Sequence, residues 1–221
     1  HWVARRQRQM CIRDRSKGMV KLDAMENPFS LPPELQAALG QRLGGLALNR
    51  YPDGRVNDLR KALAAYADMP AGCDLMLGNG SDELISLLAM ACDVPPAPGA
   101  TKPVILAPVP GFVMYAMSAA LQGLDFCGVP LTADFALDVP AMVEAIARTQ
   151  PAIVYLAYPN NPTANLWDVA DMRAVVAAAR AAGSIVAVDE AYQPFSSRSW
   201  LDEMRAQPLD NACLLYTSPR P

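Results

Sequence analysis

The sequence predicts an α/β domain built on a mixed, mostly parallel sheet with flanking helices. From about residue 74, short apolar runs alternate with longer helical patterns, the rhythm of strand–helix–strand units. The apolar runs are nearly unbroken, as in strands buried on both faces. The chain has 221 residues and is 52% hydrophobic, enough for one large core and too apolar for disorder.

Taken in order, residues 22–48 are loop-rich, with Pro28, Pro32 and Pro33, and a helix is expected to start near Pro33 or Glu34. Asn49-Arg50-Tyr51-Pro52-Asp53-Gly54 reads as a turn. A helix follows over 56–67, with Leu59, Leu63 and Tyr66 on one face. A short strand at 75–77 leads through Gly78-Asn79-Gly80 into a helix over 81–92, and Pro95-Pro96-Ala97-Pro98-Gly99 is a surface connection. Strands are then expected at 104–107, 124–129, 153–157 and 185–188, alternating with helices at 112–121, 139–148 and 169–181.

Both ends look foreign. Arg5-Arg6-Gln7-Arg8-Gln9-Met10-Cys11-Ile12-Arg13-Asp14 can be encoded by CGT CGG CAG CGT CAG ATG TGT ATA AGA GAC, which matches an adaptor of transposase-based DNA library preparation. Cys213-Leu214-Leu215-Tyr216-Thr217-Ser218 can be encoded by TGT CTC TTA TAC ACA TCT, the reverse complement of the same mosaic end. Residues 1–15 and 213–221 are therefore expected to be adaptor translation.

Without them, 13 basic and 21 acidic side chains remain over 16–212, a net charge of −8. An acidic domain argues against nucleic acid as the main partner. The one histidine, His1, also falls away, and with it any Ser-His-Asp or Cys-His mechanism within this segment. Cys73, Cys92 and Cys127 sit in apolar settings and read as buried free thiols of a cytoplasmic protein. No apolar run reaches membrane-spanning length, and the basic start lacks the apolar stretch of a signal peptide.

In such sheets ligands sit at the carboxyl ends of strands, so the loops at 78–83, 108–115, 158–163 and 189–193 carry the chemistry. Gly78-Asn79-Gly80-Ser81-Asp82-Glu83 joins strand to helix. Its glycines permit unusual backbone angles, and Ser81 or Asp82 would present unpaired amides to a phosphate; ordinary helix capping by Ser81 suits the same residues. Pro159-Asn160-Asn161-Pro162-Thr163 is a loop fixed by two prolines, and a plain turn on its own. Asp189-Glu190-Ala191-Tyr192 puts an acid at a strand end with a tyrosine three residues on; a capping acid and a packing tyrosine fit that string equally well.

Together these segments are more specific. Leu22-Asp23-Ala24-Met25-Glu26-Asn27-Pro28-Phe29, Asn49-Arg50-Tyr51-Pro52, Gly78 to Leu84, Pro110-Gly111-Phe112-Val113-Met114-Tyr115, Pro159 to Thr163 and Asp189 to Tyr192 come in the order seen in the histidinol-phosphate aminotransferases. The chain resembles that family over nearly all of 16–212. The resemblance implies a fold-type-I pyridoxal-phosphate enzyme: 16–54 would be an N-terminal arm and small-domain segment, and 55–212 part of the cofactor-binding large domain. It also implies transfer of an amino group between histidinol phosphate and 2-oxoglutarate or glutamate in histidine biosynthesis, by a homodimer, with no metal, membrane or nucleic-acid partner. Threonine-phosphate decarboxylase and aromatic aminotransferases share the fold and are the nearest alternatives; a non-catalytic, truncated binding protein is another.

The same resemblance assigns roles. Asp189 would bind the protonated pyridine nitrogen and keep the ring cationic. Asn161 and Tyr192 would hydrogen-bond the ring's phenolic oxygen. Phe112, where a tyrosine is common, would stack on the ring. Ser81 and Asp82 would hold the cofactor phosphate, and Tyr51 would reach the phosphate in the neighbouring subunit. Glu26 and Asn27 would cover the substrate. Ala164 stands where many relatives have glycine. The family's cofactor-anchoring lysine lies in a Ser-x-x-Lys segment after the Asp-x-x-Tyr strand, whereas the lysines here are Lys17, Lys21, Lys61 and Lys102. The chain as written is therefore expected to be inactive, and a sheet cut after 185–188 is expected to leave an unpaired edge.

Overall fold

The computed structural model describes residues 29–51, 56–93, 102–207 and 210–215. Two compact units divide between Gly54 and Arg55. In the first, helix α1 (Pro33–Gly44) begins with proline in its first turn and buries none of its residues.

The second unit holds a five-stranded sheet in the order β2-β1-β3-β4-β5. Its strands are β1 (Val104–Val109), β2 (Asp125–Pro130), β3 (Ile153–Ala157), β4 (Ile185–Asp189) and β5 (Ala212–Leu215). Every described pairing is parallel. The helices are α2 (Asn57–Tyr66), α3 (Ser81–Ala91), α4 (Val113–Gln122), α5 (Val139–Thr149), α6 (Val169–Ala181) and α7 (Trp200–Ala206). Their ends follow local chemistry. Asp138 caps α5 by accepting from the Ala141 amide, Asp168 caps α6 through Ala170, and Ser199 caps α7 through Leu201. Helix α4 stops at Gly123, which takes the left-handed conformation.

Side-chain alternation along the strands divides the core into two layers. Leu106, Val154, Leu156, Val186 and Val188 face Met142, Ile146, Met172, Val175 and Val176 of α5 and α6, with Trp200 of α7. Ile105, Ala107, Ile153, Tyr155 and Ala187 face Ile85 and Ala89 of α3 and Tyr115 and Ala119 of α4. β3 is buried at all five positions; each aliphatic side chain so removed from water contributes roughly 1.5–3 kcal/mol.

Three expectations are corrected. Residues 75–77 form no strand: no described strand runs beside them, and Met76 is exposed. Cys73 is exposed, while Cys92 and Cys127 are half-buried. The edge of β4 is not open, because Ala212, Cys213, Leu214 and Leu215 pair with Val186 to Asp189; an apolar, β-prone run satisfies an exposed ladder of amides and carbonyls whatever its origin.

Candidate active site

β1 has β2 on one side and β3 on the other, so the winding of the sheet reverses between β1 and β3. Such a switch point opens a crevice at the carboxyl ends of the two strands. Here the strands are in register only at Ile105↔Ile153 and Leu106↔Val154. The loops leaving β1 and β3 border this crevice, and β4 delivers its last residue to the same rim.

That last residue is Asp189, only 5% exposed. Its Oδ1 accepts from the Ala191 amide at 3.0 Å, and its Oδ2 accepts from the Tyr115 hydroxyl at 2.7 Å. Burial raises the pKa of its carboxyl group, the two hydrogen bonds oppose that rise, and the nearby charge of Asp82 adds to it. The start of α3 is therefore within electrostatic reach of the end of β4.

Gly80 precedes α3 with φ 90° and ψ 169°, and no side chain caps the helix. Ser81 does not cap it, although Asp82 and Glu83 lie in its first turn. Glu83 accepts instead from the Asn79 amide, while the Ser81 and Asp82 amides donate to no described residue. The helix presents open donors at its positive end.

Phe112 immediately precedes α4, half-buried, its ring edge-on to Tyr115 at 5.6 Å between centroids. Tyr115 in turn stacks on Tyr155 of β3 at 4.3 Å. Contact thus runs from Phe112 through Tyr115 to Asp189. In the loop after β3, Asn160 is buried and Asn161 half-buried. Asn160 Nδ2 donates to the Pro110 carbonyl and to Thr163 Oγ1. The Asn161 amide makes no hydrogen bond to a described residue. The Tyr158 amide donates to the Asp189 carbonyl, which ties this loop to the end of β4. Tyr192 is half-buried, three residues past Asp189.

Phe112, Asn161, Asp189 and Tyr192 thus lie at or just past the carboxyl ends of β1, β3 and β4, and Ser81 and Asp82 open the first turn of α3. Tyr51, in the first unit, is 99% exposed. Glu26 and Asn27 lie outside the described residues. Three functional features escaped the sequence reading. Tyr115 holds Asp189; its place three residues after Phe112 in a helix was visible, but its stacking partner was not. Asn160 ties two loops together. Glu190 is fully buried, accepting from the Trp200 amide and the Ser199 hydroxyl at the start of α7; the Ser199-x-x-Asp202 string was the available signal.

A parallel sheet with a buried acid at a strand end, an aromatic ring beside it and an uncapped helix start nearby can hold a flat, cationic, phosphorylated ring. The chain belongs to the class I and II aminotransferase family, whose model matches residues 17–217. Within that family it is 66% identical to the histidinol-phosphate aminotransferase of Acidovorax ebreus (strain TPSY), over 90% of this chain and 52% of that protein. The chain spans about half the length of the curated relatives it matches. Among solved structures, the histidinol-phosphate aminotransferase of Sinorhizobium meliloti in complex with pyridoxal-5'-phosphate aligns with a TM-score of 0.69 at 23% identity, over 88% of this chain and 50% of that one. N-succinyldiaminopimelate aminotransferase of Mycobacterium tuberculosis aligns with a TM-score of 0.66 at 28% identity, over 83% and 48%.

Proposed function

We propose that the full-length protein is a pyridoxal-phosphate-dependent aminotransferase acting on histidinol phosphate and 2-oxoglutarate in histidine biosynthesis. The observation that carries the cofactor is Asp189, buried, doubly tethered and set at the carboxyl end of β4. Identity of 66% to a histidinol-phosphate aminotransferase supports the substrate.

The residues fit the group. Asp189 would pair with the ring nitrogen, and its negative charge would favour the protonated nitrogen. Phe112 would offer a ring face, and the open amides of Ser81 and Asp82 would donate to the phosphate. Asn161, with no described partner of its own, and Tyr192 would hydrogen-bond the phenolic oxygen. When bound, pyridoxal phosphate supplies an electron sink for the substrate's Cα. A lysine in the Ser-x-x-Lys segment implied by the resemblance would anchor the cofactor and carry the proton. A fully exposed Tyr51 suits a residue whose phosphate contact lies in a second copy, and so a homodimer. Glu26 and Asn27 would cover the substrate. An acidic chain with free thiols at Cys73, Cys92, Cys127 and Cys213 and biosynthetic relatives favours the cytoplasm.

The test is a substrate panel on the full-length protein with its cofactor bound. Histidinol phosphate with 2-oxoglutarate should give the highest kcat/KM, ahead of phosphothreonine and aromatic amino acids. Bound cofactor without turnover of histidinol phosphate would remove the substrate assignment; no cofactor uptake would remove the class of chemistry.

A further inference from the structure

The reading of Asp189 as the partner of the ring nitrogen leaves open what holds that acid in place. A lone buried carboxylate is costly, and its side chain would be able to turn away from the crevice. Two donors prevent this. The Ala191 amide occupies Oδ1 and the Tyr115 hydroxyl occupies Oδ2. The second is a long-range contact, since Tyr115 comes from α4, 74 positions before Asp189 in sequence.

Tyr115 is itself fixed. It is 2% exposed, lies almost parallel to the Tyr155 ring at an interplanar angle of 6°, and meets Phe112 edge-on at 85°. Its hydroxyl therefore approaches Asp189 from the packed interior. Each carboxylate oxygen can accept more than one hydrogen bond, so two tethers still leave acceptor capacity for a ligand.

We infer that Tyr115 is a positioning residue for the cofactor ring, holding Asp189 in one orientation and keeping the shared proton on the ring nitrogen. The inference rests on the proposed pairing of Asp189 with that nitrogen. The physical basis is simple. A carboxylate that already receives a hydrogen bond is a weaker base. A proton shared between it and a pyridine nitrogen then stays on the nitrogen. Without the hydroxyl, burial would be opposed only by the Ala191 amide, Asp189 would be a stronger base, and the proton would shift towards the carboxylate.

The experiment uses the full-length protein loaded with pyridoxal phosphate labelled with ¹⁵N at the ring. Tyr115→Phe deletes the hydroxyl and keeps the ring stack. Tyr155→Phe removes a hydroxyl from the same stack without touching Asp189, because the Tyr155 hydroxyl points to the Ile85 carbonyl at 3.4 Å. Tyr115→Phe should move the ring-nitrogen resonance towards that of neutral pyridine and weaken cofactor retention about ten-fold. Tyr155→Phe should leave both near the parent values. If Tyr115→Phe fails to fold, fluorotyrosine at 115, a stronger donor of nearly the same size, should move the resonance in the opposite direction. An unchanged resonance in a folded Tyr115→Phe or fluorotyrosine protein overturns the inference, as does an equal shift in Tyr155→Phe. A parent protein that takes up no cofactor overturns the proposed function, and this inference with it.

Discussion

Asn160 Nδ2 donates to the Pro110 carbonyl at 3.2 Å, tying the loop after β3 to the loop after β1 across the point where the winding of the sheet reverses. The same nitrogen donates to Thr163 Oγ1 at 2.7 Å. Asn161, the next residue, has no such partner among the described residues. The two asparagines should therefore respond differently to truncation. Asn160→Ala removes both hydrogen bonds of a buried side chain and should cost about 1–3 kcal/mol in denaturant unfolding. Asn161→Ala should fall within about 0.5 kcal/mol of the parent while weakening cofactor binding. Equal losses of stability at the two positions would refute this division.

Ala164 has φ of +60°, in the left-handed region. A Cβ there crowds the following carbonyl, at a cost of roughly 1–2 kcal/mol. Its amide donates to the Asn160 carbonyl, so the loop cannot relax without losing that bond. Ala164→Gly relieves the strain and gives back part of the gain through chain entropy. A net stabilisation of about 1 kcal/mol is expected, raising Tm by roughly 2–4 °C, as calorimetry would read.

Gly80 lies at φ 90° and ψ 169°, a region open essentially to glycine alone. A Cβ at this position would meet nothing within 4 Å, so the cost of Gly80→Ala is purely one of backbone conformation, about 1–3 kcal/mol. Relaxing it would rotate the amides that follow, those of Ser81 and Asp82. Cofactor dissociation followed by absorbance should be faster by roughly ten-fold or more. Parental stability together with parental dissociation would contradict the assignment of the phosphate to this turn.

Glu190 is buried, and that burial raises its pKa to about 7 from 4.5, against the opposing effect of the Trp200 amide and the Ser199 hydroxyl. The folded chain therefore binds this proton more tightly than the unfolded chain. The resulting stabilisation is fully present below about pH 4.5, and it is lost as pH rises through about 7. Glu190→Gln keeps an acceptor for the Trp200 amide and carries no charge. Relative to this variant, the parent should lose up to about 3 kcal/mol between pH 4.5 and 8, measurable as diverging urea midpoints. Parallel pH profiles would show that Glu190 does not titrate with folding.

The sheet was legible because its strands are continuous apolar runs of a length that helices cannot use, bounded by capping residues. β3 and α6 fall on the expected bounds, 153–157 and 169–181. What failed has physical reasons. Residues 75–77 are strand-like in composition, but a strand needs a neighbour, and none is described beside them. Helix α7 has seven residues, too few for an amphipathic period to stand out. At the site, Asp189 was legible from its place at a strand end. Tyr115 was not, because its partners Tyr155 and Asp189 are separated from it by 40 and 74 positions and meet it only once the layers pack.

Asp189 and Glu190 are successive acids at the end of one strand, yet they enter opposite layers, one beside Tyr115 and the other beside Trp200. Loss or gain of a single residue within β4 would turn each acid to the opposite face, taking Asp189 away from the crevice side and Glu190 away from the Trp200 side. An indel there would therefore disarm the chemistry and undermine the scaffold in one event, a double penalty that no point substitution at either position would carry.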